Sequence, residues 1–188
     1  MTIQDLINQI RYQVNDTDKI EYTDSELIEY INQAQNYISK IAINHRFKGL
    51  INQSDLSLSD GKATLPADFV KEHKVKAGGK LLKSVSVSEE IDIYSYKIIG
   101  DEIYSGNEKI TLYYFHFYPT YTVVTDTIQI PRIFENLLRE IVIYLALNRT
   151  DINASFEIQL AKLYESKVLN IISSYGNSNL ERPMPFRI

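Results

Sequence analysis

The chain has 188 residues, 44% hydrophobic and 23% charged, with 14 Tyr, no Trp and no Cys. That length supplies a core without staples, and the absence of cysteine excludes a disulfide scaffold, a thiol nucleophile and a thiolate zinc site. A formal net charge of −4 argues against a protein that coats nucleic acid or an anionic membrane surface.

The opening Met1-Thr2-Ile3-Gln4-Asp5 lacks the basic-then-apolar order of a signal peptide. No apolar run approaches the ~20 residues of a membrane span, so no membrane partner is expected. Ile3, Leu6, Ile7, Ile10 and Val14 recur at helical spacing and predict a helix over 3–14, capped by Thr2 with Asp5. Asn15 to Glu21 reads as a polar loop. Thr23-Asp24-Ser25-Glu26 fits a capping box, and Leu27, Ile31, Ala34, Ile38 and Ile41 mark a second helix over 24–46, with Gly49 as its stop. Its opposite face carries Asn32, Gln33, Gln35 and Asn36, uncharged amides that suit either solvent or hydrogen bonding with another subunit.

From 54 to 118 the period changes to two. Leu56 and Leu58, Asp60-Gly61, then Ala63 to Leu65 predict a hairpin with a type I′ turn. Val75, Gly78-Gly79 and Leu81-Leu82 predict a second, and Tyr96–Ile99, Gly100-Asp101 and Glu102–Tyr104 a third. Lys109 to Tyr118 is the longest strand candidate, with Ile110, Leu112, Tyr114 and His116 on one face and Thr111, Tyr113, Phe115 and Phe117 on the other. Aromatics on both faces imply that neither simply meets solvent. Ile130-Pro131 opens a third helix over 131–148, with Pro131 at its first position. Phe134, Leu137, Leu138, Ile141 and Leu145 form its stripe, and Val142, Ile143 and Tyr144 make its second half apolar almost all round, as in a buried helix. After a turn over 148–153, Phe156, Leu160, Leu163, Tyr164, Val168, Ile171 and Tyr175 mark a last helix over 155–175, stopped by Gly176. The fold class is α+β: two N-terminal and two C-terminal helices share a bundle around a β-rich insert, with one domain over 1–176 and an extended tail over 177–188.

Catalytic, metal and cofactor chemistry finds little purchase. His45, His73 and His116 lie in separate elements without metal-ligand spacing. Asp16-x-Asp18 fails the calcium-loop pattern at Ile20, Glu21 and Leu27. Glu89, Glu90, Asp92, Asp101 and Glu102 read as exposed turn residues. Gly78-Gly79, though flanked by Lys76 and Lys80, lacks the helix N-terminus of a phosphate cradle. Lys71, Lys74, Lys76, Lys80 and Lys83 could form one positive sheet edge, a pattern that more often blocks stray strand pairing. No catalytic, metal or cofactor-binding residue is assigned. The tail, with Leu180, Met184, Phe186 and Ile188 among Arg182, Pro183, Pro185 and Arg187, resembles a peptide that orders on a partner.

Four segments together resemble the head-to-tail adaptor (head-completion, connector) proteins of tailed bacteriophages, over residues 1 to 175. They are Tyr22-Thr23-Asp24-Ser25-Glu26-Leu27 leading to Asn32-Gln33-Ala34, then Leu65-Pro66-Ala67-Asp68-Phe69, then Tyr96 to Tyr118 with Tyr113-Tyr114 and a following proline, and Asp126 through Ile130-Pro131 to Phe134 and Leu137. Tyr22 stands where a tryptophan is commoner in the family. The tail matches none of its motifs.

The resemblance implies a structural virion protein at the head–tail interface, made in the host bacterial cytoplasm. Such proteins form a ring, usually a dodecamer, beneath the portal protein. The ring extends the DNA channel and offers a platform to the next neck or tail protein. Its C-terminal segment commonly docks on the portal, which assigns Leu180, Arg182, Pro183, Met184, Pro185, Phe186, Arg187 and Ile188 to that contact. Asn32, Gln35, Asn36, Tyr113, Phe115 and Phe117 are assigned to subunit contacts. A ring of twelve copies at −4 each carries about −48, which would let genomic DNA pass through the lumen without sticking. Two other classes compete. A small hydrolase would use Glu89, Glu90, Asp101 and Glu102, and a DNA-binding module would use the Lys71–Lys83 edge.

Overall fold

The computed structural model describes residues 1–148 and 154–178, and side chains of the last helix at 162–175. The chain is α+β and divides into two compact units: Met1–Phe47 with the residues from Tyr118 onward, and Lys48–Phe117.

The first unit is helical. Helix α1 (Ile3–Gln13) and helix α2 (Asp24–Asn44) both begin in capping boxes: Thr2 with Asp5, and Thr23 with Glu26. At each start the carboxylate accepts from the cap amide and the threonine hydroxyl accepts from the amide three residues on, so two otherwise orphaned donors are satisfied. Both helices end in the same way. Asn15 and Arg46 adopt φ of 60° and 55°, and the amides one residue later, Asp16 N and Phe47 N, donate to Arg11 O and Ala42 O at 2.9 Å each. This is a Schellman stop, usually built on glycine. The expected stop at Gly49 is therefore corrected. Arg46 ends α2 three residues earlier, and the buried Phe47 supplies the apolar contact that holds the turn.

Pro131 does not open a helix either. Its ψ of 136° is extended, a 3-10 turn follows over Arg132–Phe134, and α3 runs Glu135–Leu147. The turn sets Phe134 edge-on to Phe47 at 5.4 Å between ring centroids. Helix α4 spans Ala154–Ser178 and passes through Gly176. A helical glycine costs only about 1 kcal/mol, which a helix of this length tolerates. The predicted turn at 148–153 lies, beyond Asn148, outside the described residues. Helix α2 packs on α3 and α4, and α1 on α3 and α2. Ile7, Ile10, Ile31, Ile38, Leu138, Val142, Tyr164 and Val168 are buried among them. Helix α3 is less enclosed than its composition predicts: Ile143 and Tyr144 are half-buried, and Leu147 is exposed.

The second unit holds two four-stranded sheets. One runs β1-β8-β3-β4, from Ile51–Ser57, Lys109–His116, Phe69–Ala77 and Lys80–Leu81. The other runs β2-β7-β6-β5, from Lys62–Thr64, Glu102–Ser105, Ser95–Ile99 and Lys83–Ser84. The second and third hairpins form as expected, at Gly78-Gly79 and Gly100-Asp101. The first does not. Asp60-Gly61 makes the left-handed turn, φ 53° and 75°, and Ser59 bridges Lys62. The flanking strands then part: β1 pairs with β8 and β2 with β7. The turn fixes local geometry, whereas the pairing goes to whichever strand buries each apolar face. Val75, Ile110, Leu112 and Tyr114 of one sheet share a core with Tyr96 and Ile103 of the other and with Leu65, which follows β2.

Candidate assembly surfaces

In the helical unit, the segment over 118–130 fastens onto two helices. Asn32 Nδ2 donates to Tyr121 O, and Tyr121 N donates to Asn32 Oδ1, each at 2.9 Å. Gln35 Nε2 reaches Pro119 O at 3.4 Å. The first amides of α1 donate into the same segment, Ile3 N to Asp126 O at 2.8 Å and Gln4 N to Val124 O at 2.9 Å. The Asp126 carboxylate accepts from Thr122 N and Val123 N, and Tyr121 Oη accepts from Gln129 N. Of the predicted subunit contacts on α2, Asn32 and Gln35 are thus engaged inside their own chain, while Asn36 is exposed.

The loop between α1 and α2 is built on Asp16. Its carboxylate pairs with Arg11 and accepts from Ile20 N and Glu21 N at 2.8 Å each. Arg11 also reaches Asp24 at 2.8 Å. Burial alone would push the Asp16 carboxyl up, but the Glu21 and Ile20 amides and the Arg11 charge outweigh it and hold the group below the usual carboxylate range. Asp16 thus belongs to a buried side-chain cluster, and Asp18 stays exposed. Tyr22 donates to Ala146 O at 2.9 Å, a bond that gives the motif's aromatic position a polar anchor besides packing.

In the β unit, the Leu65-Pro66-Ala67-Asp68-Phe69 motif supports Tyr114. Tyr114 Oη donates to Asp68 Oδ1 at 2.8 Å, and the Phe69 ring lies 5.7 Å from its own. Burial, then this bond, pushes the Tyr114 phenol up to about 12. Strand β8 turns Tyr113 to the opposite, outer face of its sheet. There Lys74 Nζ sits 4.5 Å and Lys76 Nζ 5.8 Å from the Tyr113 ring centroid, and Asp55 accepts from Thr111 at 2.7 Å. The register places Lys71 opposite Phe115 and Lys74 opposite Tyr113. Phe115 is buried, and Phe117 is half-buried.

The expected single lysine edge is not formed. Lys71, Lys74 and Lys76 share β3, Lys80 lies on β4, and Lys83 starts β5 in the other sheet. The carboxylates of the hydrolase reading are dispersed. Glu89 and Glu90 sit between β5 and β6, Asp101 in the β6–β7 turn, and Glu102 on β7. Glu102 bonds Lys62 at 2.8 Å and Tyr104 at 2.5 Å, which together hold its carboxyl low. His73 meets the Phe115 ring at 5.6 Å, His116 Nδ1 lies 3.7 Å from Asp68, and His45 lies 4.0 Å from Glu165. Among the described residues no three of His, Asp and Glu converge to hold a metal. No described helix is long and apolar enough to cross a membrane. Asn177 and Ser178 continue α4, and the portal-contact positions Leu180, Arg182, Pro183, Met184, Pro185, Phe186, Arg187 and Ile188 lie outside the described residues.

Sequence reasoning missed one surface. Between β5 and β6, Val87, Ile93 and Tyr94 are 61%, 54% and 64% exposed. Three exposed apolar side chains close in sequence signal a contact surface only once their exposure is known.

A search of curated proteins found no match. The SU10 adaptor protein family matches residues 1–185. The match takes in all four motif segments, from the capping box at Thr23 to Phe134 and Leu137. The chain therefore belongs to the SU10 adaptor protein family, the adaptors of bacteriophage particles.

Proposed function

We infer that the protein is a structural, non-enzymatic head-to-tail adaptor whose four helices form one bundle. About twelve copies assemble as a ring beneath the portal, extend the DNA channel, and give the next neck or tail protein its platform. The family match over nearly the whole chain carries this reading. Two features of the molecule support it. Its family motifs serve shape rather than chemistry, as in the Asn32–Tyr121 clip and the Asp68–Tyr114 bond. The carboxylates weighed for a hydrolase are dispersed over separate elements of the β unit, and Lys71, Lys74 and Lys76 lie on one strand. Genomic DNA passes through the lumen without specific binding, repelled by the acidic balance summed around the ring.

The tail supplies the portal contact, through the apolar anchors Leu180, Met184, Phe186 and Ile188 and the arginines Arg182 and Arg187. Because α4 continues to Ser178, the test is a chain ending at that residue. The full chain is expected to co-sediment with purified portal and the shortened one to stay in the supernatant. Equal co-sedimentation would remove the tail from the contact.

A further inference from the structure

Resting on the ring reading above, we propose that neighbouring copies meet through the β unit. The Ile93–Tyr94 tip of one copy seats on the lysine-rich outer face around Tyr113 of the next.

The tip is exposed but firmly held. The Asp92 carboxylate accepts from Ser95 Oγ at 2.6 Å and Tyr94 N at 2.9 Å. Gly106 N donates to Asp92 O at 3.2 Å, and Asn107 Nδ2 donates to Ile93 O at 2.8 Å. Gly106 packs so closely that an added Cβ would lie 2.8 Å from Asp92 O. Two large apolar side chains on a fixed backbone lose little entropy on docking, which separates a built contact from a frayed loop.

Charge identifies the occupant. Glu89, Glu90 and Asp92 precede the tip, with Lys97 bonded to the carbonyls of Val87 and Glu89 and Lys83 in the same depression. The outer sheet face carries Lys71, Lys74 and Lys76 against Asp55, with the Tyr113 ring and the 66% exposed Leu81 as apolar ground. An acidic, apolar tip therefore meets a basic, aromatic face, and both belong to every copy. The two patches differ, so the contact is heterologous. Each copy keeps one free tip and one free face, and such a contact closes into a ring or runs on as a filament.

The chain's lack of cysteine makes the test direct. Tyr94→Cys and Lys76→Cys are placed on separate chains and on one chain, treated with a short bismaleimide alone and on portal, and run on a denaturing gel. A second pair, Glu90→Cys with Leu81→Cys, repeats it at exposed sites. Each single variant alone should give no cross-linked dimer, the mixture should give dimers, and the double variant a ladder. Lys74→Glu with Lys76→Glu should cut cross-linking of Tyr94→Cys with Leu81→Cys, where Glu90 is intact, by at least about tenfold, because like charges then face each other. Glu90→Lys should restore it when cross-linking is read at the Tyr94 site with Leu81→Cys. Dimers from a single variant, or a ring seen on portal without the cross-link, would overturn the tip-to-face contact and leave the ring reading standing. No oligomer with or without portal would overturn both.

Discussion

Replacing Asn32 by alanine tests whether this amide holds its own chain together or waits for a neighbour. The substitution removes two hydrogen bonds of 2.9 Å and strands the N–H and C=O of Tyr121, a residue only 3% exposed. A net hydrogen bond is worth about 1 kcal/mol, and an orphaned buried amide costs about 1–3 kcal/mol. The expected loss is therefore about 2–4 kcal/mol. With a urea m-value of about 2 kcal/mol/M, the midpoint of the helical unit falls by about 1–2 M. Asn36→Ala, an exposed amide one turn along the same helix, serves as the control and should stay within about 0.5 kcal/mol of the parent. Hydrogen exchange at the Tyr121 amide gives the local readout, with protection lost in the Asn32 variant alone. Equal midpoints for the two variants, with Tyr121 still protected, would refute the clip.

Arg46→Gly should raise stability by up to about 1 kcal/mol, because glycine carries no penalty at φ 55°; chemical denaturation measures it, and a loss would show that the arginine side chain matters more than its backbone. Gly106→Ala should cost about 1–3 kcal/mol by driving a Cβ to 2.8 Å from the Asp92 backbone, with exchange quickening at residues 92–95; an unchanged exchange map would exclude the clamp. Asp16, Asp5 and Asp92 all titrate below the ordinary 3.8. Carboxyls lowered by folding stabilise fully above the unfolded value and lose that contribution as pH falls through the folded one. Asp16→Asn should therefore lower Tm at neutral pH, the gap to the parent closing only below about pH 4; a gap constant into acid would contradict the Arg11–Asp16 account.

The helices were legible because each carries a 3.6-residue apolar period, and the first two add a local start signal: Thr23 with Glu26 needs no distant partner to be recognised. Arg46 was missed as a stop because its left-handed backbone is dictated by the burial of Phe47, not by its own preference. Asp60-Gly61 announced its turn but not the separation of β1 from β2, since a two-residue turn says nothing of which strand lies on the far side. The strap over 118–130 carries no period. Its partners Asn32, Ile3 and Gln4 are distant in sequence, so Asn32 looked like a free amide on a polar face. The lysines were visible as a cluster, but only the sheet order shows that Lys83 leaves it and that Tyr113 joins it. The Ile93–Tyr94 tip carries neither a period nor a turn signal, so nothing local announces its exposure; the close approach of Gly106 to the Asp92 backbone joins residues that are distant in sequence.

The proposed function rests on assembly, and electron microscopy of the full chain mixed with purified portal measures that most directly. It predicts a closed ring below the portal, coaxial with the DNA channel and built from β unit to β unit, with density for the tail on the portal surface. A single copy bound to the side of the portal, or no complex at all, would contradict it.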